Sequence, residues 1–146
     1  MDTTRSDTET FTQPLVAEIC DAQGMTMPLP AALTYDTSDP YAVSVRFGTG
    51  TTAVSWTFAR DLLSGGLTEP TGDGDVHVWS CLDDRGLACL VLELCSPGGD
   101  ALVQFRPDDV ASFVERMFTV VPEGSESAYL DVDTLIADIM GAPEDA

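Results

Sequence analysis

The chain has 146 residues, 44% of them hydrophobic, which suits one globular domain with its own core and argues against a disordered polymer. Its formal net charge is −19, with 25 acidic residues against six basic ones, and all six are arginines: Arg5, Arg46, Arg60, Arg85, Arg106 and Arg116. A chain without lysine or an arginine cluster lacks the counterion-displacing surface that nucleic acid or an anionic membrane demands, so neither is an expected partner.

Residues 1–12 are polar, carry no signal-peptide pattern and read as a flexible leading segment of a cytoplasmic protein. Residues 13–141 read as one domain and 142–146 as an acidic tail. No apolar run approaches the roughly 18 residues of a membrane-spanning helix, so no integral membrane segment is expected. Leu15–Asp21 predicts a strand, Pro28-Leu29-Pro30 a bend, and Ala31–Tyr35 a second strand. In YAVSVRF, residues Tyr41, Val43, Val45 and Phe47 alternate onto one face, with Ala42, Ser44 and Arg46 opposite. A turn at Gly48-Thr49-Gly50 leads into AVSWTF, with Val54, Trp56 and Phe58 inward, which completes a hairpin.

A short helix over Ala59–Ser64 follows, with Leu62 and Leu63 as its apolar side and Gly65-Gly66 as its stop. Three more strands are expected over 75–81, 87–94 and 101–106, separated by turns at 83–86 and 96–100. The 87–94 strand, LACLVLEL, is apolar on both faces and calls for cover on each side by protein or by another subunit. Pro107 fits a first helical position, and Asp108 and Asp109 fit the positive end of the helix dipole. Val110, Phe113, Val114, Met117, Phe118 and Val121 keep helical spacing up to Pro122. Asp131 caps a second predicted helix whose Val132, Leu135, Ile136, Ile139 and Met140 share a face before Gly141. The expected fold is α+β: antiparallel sheets of about seven strands, one short helix after the fourth strand and two C-terminal helices.

FARDLLSGGLTEPTGDGDVHVW, residues 58–79, packs an Arg–Asp pair, two glycine turns and a GDGD run into a short span, a density that either marks a catalytic or metal site or bends the chain between two strands. An EF-type calcium loop starting at Asp73 has Asp75 at its third position but His77 at its fifth and Val78 at its sixth, so the pattern fails. No lysine follows the glycines, as a phosphate loop needs, and no G-x-S-x-G nucleophile turn occurs. His77 is the only imidazole and sits within a strand, while Asp73 and Asp75 occupy a glycine loop where carboxylates bond to the backbone. Cys20, Cys81, Cys89 and Cys95 have no C-x-x-C spacing. Buried free thiols are expected; Cys89 and Cys95, six apart on one strand, cannot bridge each other, whereas Cys81 and Cys89 flank a turn that can bring them near. No catalytic residue, metal or cofactor is expected. The candidate partner-binding residues are Arg60, Asp61, Asp73 and Asp75, with Gly124 of the VPEG turn.

DPYAV (39–43), V-x-W-x-FARDLL-x-GL-x-x-P-x-GDGDV-x-VW (54–79), SPGGDAL (96–102) and F-x-x-R…VPxGxE (113–126) appear in this order. Together they resemble the SsgA-like proteins of sporulating actinomycetes over about Leu33–Glu126. Ser80 stands where that family usually has proline, and Met117 where threonine is common. The resemblance implies a non-enzymatic regulator or adaptor of sporulation-specific cell division, active at the septum. Its implied partners are the tubulin-like ring protein FtsZ or another SsgA-like protein, and its implied assembly is a homotrimer with a Whirly-like fold. A Whirly-like sheet also raises an alternative, single-stranded nucleic-acid binding. That requires a cationic groove with stacking aromatics, which six scattered arginines do not build.

Overall fold

The computed structural model describes residues 9–130, except 22 and 84, together with 139. The strands are β1 (Thr10–Cys20), β2 (Thr26–Asp36), β3 (Ala42–Phe47), β4 (Val54–Ala59), β5 (Thr71–Asp73), β6 (Val76–Leu82), β7 (Ala88–Ser96) and β8 (Gly99–Phe105). Helix α1 spans Arg60–Gly66, and α2 spans Pro107–Val120. All eight strands form one antiparallel sheet in the order β4-β3-β2-β1-β8-β7-β6-β5. The two meanders meet where Glu18–Cys20 of β1 pair with Leu102–Gln104 of β8.

The strand missing from the sequence reading is β5. It is only Thr-Gly-Asp, and two of those residue types are depleted in strands. Tertiary pairing creates it: Thr71, Gly72 and Asp73 lie opposite Val78, His77 and Val76 across a turn led by Gly74 at φ 62°. The Asp-Gly stretch is therefore a hairpin tip.

Pro28 and Pro30 belong to β2 and do not form a bend. Pro14 stands opposite Ala32, Val16 opposite Pro30 and Glu18 opposite Pro28, so all three prolines share one parity in the β1–β2 register. Their nitrogens face away from that ladder and are asked for no hydrogen bond in it. On the far side of β2, strand β3 pairs only with Ala31–Thr34. The first strand also starts earlier than expected, at Thr10, inside the leading segment of residues 1–12. Phe11 is buried there against Tyr35 and Phe113, with ring centroids at 5.7 and 5.3 Å.

One face of the sheet packs on the two helices. Val110, Phe113 and Met117 of α2 and Leu63 of α1 join Leu33, Val43, Val45, Leu90, Leu92 and Val103 in a single core. The helical spacing read in α2 holds, and Pro107 and both first-turn aspartates take the expected places. The inward set on the edge hairpin is smaller than alternation implies. Val43, Val45, Phe47 and Phe58 are buried, but Trp56 is half-buried and Val54 and Tyr41 are exposed. Strand β4 closes the sheet, so nothing beyond it in the sheet covers Val54.

Strand β7 is buried on both faces from Cys89 to Leu92, as its composition demands. Within one chain, the second face is shielded by neighbouring strands. Val91 lies in register between Trp79 and Gln104, and Cys89 lies opposite Cys81. The predicted second C-terminal helix falls outside the described residues except for Ile139, which is exposed.

Candidate functional site

Arg60, expected at a partner surface, is 1% exposed and is the largest fully buried side chain among the described residues. It opens α1, so its side chain enters the space between the sheet and α2. Nη1 donates to Tyr35 Oη at 3.1 Å and to the Val121 carbonyl at 2.9 Å, and Nη2 donates to Glu126 Oε2 at 2.9 Å. The Phe118 ring lies 4.1 Å from the guanidinium carbon. Tyr35 passes the network on by donating to the Pro40 carbonyl at 2.8 Å. A buried guanidinium needs this many acceptors, because an unpaired charge in the interior is costly. Arg60 is thus an internal tie between β2, α1 and the chain after α2, and is unavailable to a partner.

Gly124 belongs to the same tie. At φ 90° it takes a conformation that side chains disfavour, and its N–H donates to Glu126 Oε1 at 2.9 Å. The Glu126 carboxyl is held below its ordinary value, first by its own backbone N–H, then by Arg60 and by the Gly124 N–H. Burial pushes Tyr35 up to about 12, with the Glu126 charge adding to the shift and Arg60 opposing it. Tyr35 and Glu126 were absent from the sequence-based candidates. The one local hint was a glutamate two residues after a glycine turn.

Asp61, Asp73 and Asp75 are all exposed, on α1, β5 and the β5–β6 turn respectively. The fold therefore splits the five candidates into one buried cluster, Arg60 with Gly124, and three surface carboxylates. Of the thiols, only Cys89 is buried; Cys20 and Cys95 are half-buried and Cys81 is exposed. All four are free, and Cys81 and Cys89 bring their sulfurs to 3.4 Å across β6 and β7. Burial, then the bond to Cys81, pushes the Cys89 thiol up to about 12, which makes it a poor nucleophile at neutral pH. On the same strand pair, His77, Glu93 and Cys95 place their donor atoms within 4.8 Å of one another, a group that linear spacing concealed.

An open groove of about 520 Å³ runs along β1, the β6–β7 turn and the start of α2. Its lining includes Val16, Glu18, Arg85, Leu87, Arg106 and Asp108. Val16 is 62% and Leu87 57% exposed, so two large apolar side chains stand in water beside charges of both signs. Apolar centres with charged rims are the usual make-up of protein interfaces. Arg85 and Arg106 face Glu18, Asp83 and Asp108 in this lining, three carboxylates against two guanidiniums, so the groove is no cationic trough.

The family profile described as "Streptomyces sporulation and cell division protein, SsgA" matches residues 29–126. The sporulation-specific cell division protein SsgB of Frankia casuarinae is 40% identical over 139 residues, covering 93% of this chain and 96% of the relative. The Streptomyces coelicolor protein of the same name is 45% identical over 116 residues, covering 78% and 83%. A solved structure described by the words "Mutations in SsgB correlate to longitudinal cell division during sporulation of Streptomyces coelicolor" superposes with a TM-score of 0.78 at 40% identity, covering 84% of this chain and 97% of that one. The SsgA-like sporulation-specific cell division protein of Thermobifida fusca gives 0.81 at 33% identity, covering 94% and 100%. A family match over most of the domain, with relatives aligned almost end to end, leaves one assignment: the chain belongs to the SsgA family of sporulation and cell division proteins.

Proposed function

We propose that this protein is a non-enzymatic adaptor of sporulation-specific cell division that works by binding other division proteins. Its relatives carry that process in their names. The observation that carries the binding mode is the groove in which Val16 and Leu87 stand exposed among Glu18, Arg85, Arg106 and Asp108. FtsZ or another SsgA-like protein is the proposed partner, with Asp61, Asp73 and Asp75 as further surface contacts. The proposed assembly is a homotrimer with a Whirly-like arrangement, located at the division septum. Among the described residues no helix is long and apolar enough to cross a membrane, which fits recruitment through protein contacts.

A fluorescent fusion in sporulating hyphae is expected to form septal foci, and diffuse signal at every stage would overturn the reading. In co-sedimentation with FtsZ polymers or pull-down of a second SsgA-like protein, Val16→Asp with Leu87→Asp should weaken binding by about tenfold or more. Both side chains are exposed, so the melting temperature should stay within about 2 °C of the parent. Unchanged binding would remove the groove from the interface. The nucleic-acid alternative has its own measurement. Labelled single-stranded oligonucleotides at low salt should show no band shift, because among the described residues the only exposed arginines that share a groove, Arg85 and Arg106, are outnumbered there by Glu18, Asp83 and Asp108, while Arg46 on β3 and Arg116 on α2 lie outside it.

A further inference from the structure

The outer face of β6 and β7, opposite the helices, gathers donors that are far apart in sequence. His77 and Glu93 are direct cross-strand partners, and Cys95, two residues beyond Glu93, projects from the same face. Their donor atoms all lie within 4.8 Å of one another, and His77 Nδ1 is 3.6 Å from Glu93 Oε1. A tetrahedral cation with bonds of about 2.0–2.3 Å sets its ligand atoms about 3.5 Å apart, so the imidazole and carboxylate already stand at coordination spacing. The thiol needs only a side-chain adjustment on the order of 1 Å to join them.

The imidazole is aimed at this point by its surroundings. It lies against Gly72 of β5, its register partner. A Cβ there would fall 2.2 Å from His77 Cδ2 and 3.1 Å from Nε2. Only a residue without a side chain lets the ring lie in this position. The side chain is 43% exposed as a whole, but its Nδ1 atom is out of contact with solvent and has no hydrogen-bond partner among the described residues. A buried nitrogen 3.6 Å from a carboxylate, with no hydrogen bond of its own, is a polar group that a ligand would satisfy.

Charge favours a cation at this place. Asp100 pairs with Cys95 in the β7–β8 register, and the Asp75 carbonyl accepts from the Cys95 N–H at 2.9 Å. Glu93 two residues before Cys95, Asp100 opposite it and Asp75 at its N–H thus gather acidic residues around the sulfur, a negative surrounding that attracts a cation. Nitrogen, oxygen and sulfur donors together select a borderline divalent metal over calcium or magnesium, which take oxygen alone.

We propose that His77, Glu93 and Cys95 form a three-ligand site for a divalent cation of the zinc class, with the fourth position left to water. The site stands on strand geometry alone and is independent of the adaptor reading. The full chain, stripped with chelator, is titrated with zinc by calorimetry and with cobalt by absorption, in the presence of excess magnesium to saturate non-specific carboxylates. About one equivalent should bind, and cobalt should produce a thiolate charge-transfer band. Cys95→Ser should abolish that band, and His77→Ala should weaken zinc binding by more than about a hundredfold, beyond the roughly 10–100-fold that loss of an outer-sphere partner costs. Gly72→Ala, which displaces the ring while sparing every ligand, should weaken binding as well. The Cys81→Ser and Cys89→Ser double variant should bind like the parent. No saturable binding under these conditions, or binding that is lost with Cys81 and Cys89 but survives Cys95→Ser, would overturn the proposal.

Discussion

Arg60→Ala is expected to lower the melting temperature by roughly 10 °C or more, the largest loss for any single change considered. Removal strands three acceptors at once: Tyr35 Oη, the Val121 carbonyl and Glu126 Oε2. It also leaves Phe118 without the cation that covers its ring. Glu126→Gln should cost less, because the amide oxygen can still accept from Arg60 or from the Gly124 N–H. A double-mutant cycle on Arg60 and Glu126 should give strong positive coupling, and additive effects would show that the buried contact contributes little. The pair also sets an acid limb. The folded carboxyl is held below the ordinary value of 4.5, so the unfolded chain binds the extra proton. Its stabilising contribution is complete above about pH 4.5 and is lost as pH falls through the folded value. Melting followed from neutral to acid pH should show this limb in the parent, and it should be flattened in Glu126→Gln.

The second large effect is at Gly66. A Cβ on this helical residue would lie 2.2 Å from Val78 Cγ1, 2.7 Å from its Cβ and 3.2 Å from its carbonyl carbon. Helix propensity favours alanine over glycine by about 1 kcal/mol. Overpacking a tight contact costs about 1–3 kcal/mol, and here it involves the stem of a fully buried valine in the sheet, so the clash wins. Gly66→Ala should therefore lower the melting temperature by about 5 °C. Adding Val78→Ala should recover part of the loss, leaving the double variant more stable than the sum of the two single effects. A more stable Gly66→Ala protein would mean that α1 does not pack this closely on β6. The glycine pair is thus needed for close approach, since α1 runs through Gly66 before ending.

The elements most legible in the sequence are those whose signals are local. Helix α2 is written in the spacing of Val110, Phe113 and Met117 behind Pro107, and β7 in an apolar run that only a two-sided burial can use. Alternation in β3 correctly places Val43, Val45 and Phe47 inward. The same alternation overstates β4, because whether an edge residue is covered depends on what lies beyond it, and nothing in VSWTF encodes that. The prolines of β2 mislead for a related reason. A missing N–H breaks a strand only if a neighbour needs it, and parity in a register with β1 decides that.

The candidate site divides along the same line. Asp61, Asp73 and Asp75 are readable as exposed carboxylates in turn-rich surroundings. Arg60 is not readable, because its partners Tyr35, Val121 and Glu126 lie 25, 61 and 66 residues away. His77, Glu93 and Cys95 escape a motif search since two paired strands, and no fixed spacing, bring them together. By itself the sequence determined a strongly anionic α+β domain, because composition and short-range periodicity suffice for burial patterns and helix ends, and its ordered motifs carried the resemblance to the SsgA family. Only the tertiary structure decided which charges are interior, which apolar residues face water and which donors converge, because each of those outcomes depends on contacts between segments distant along the chain.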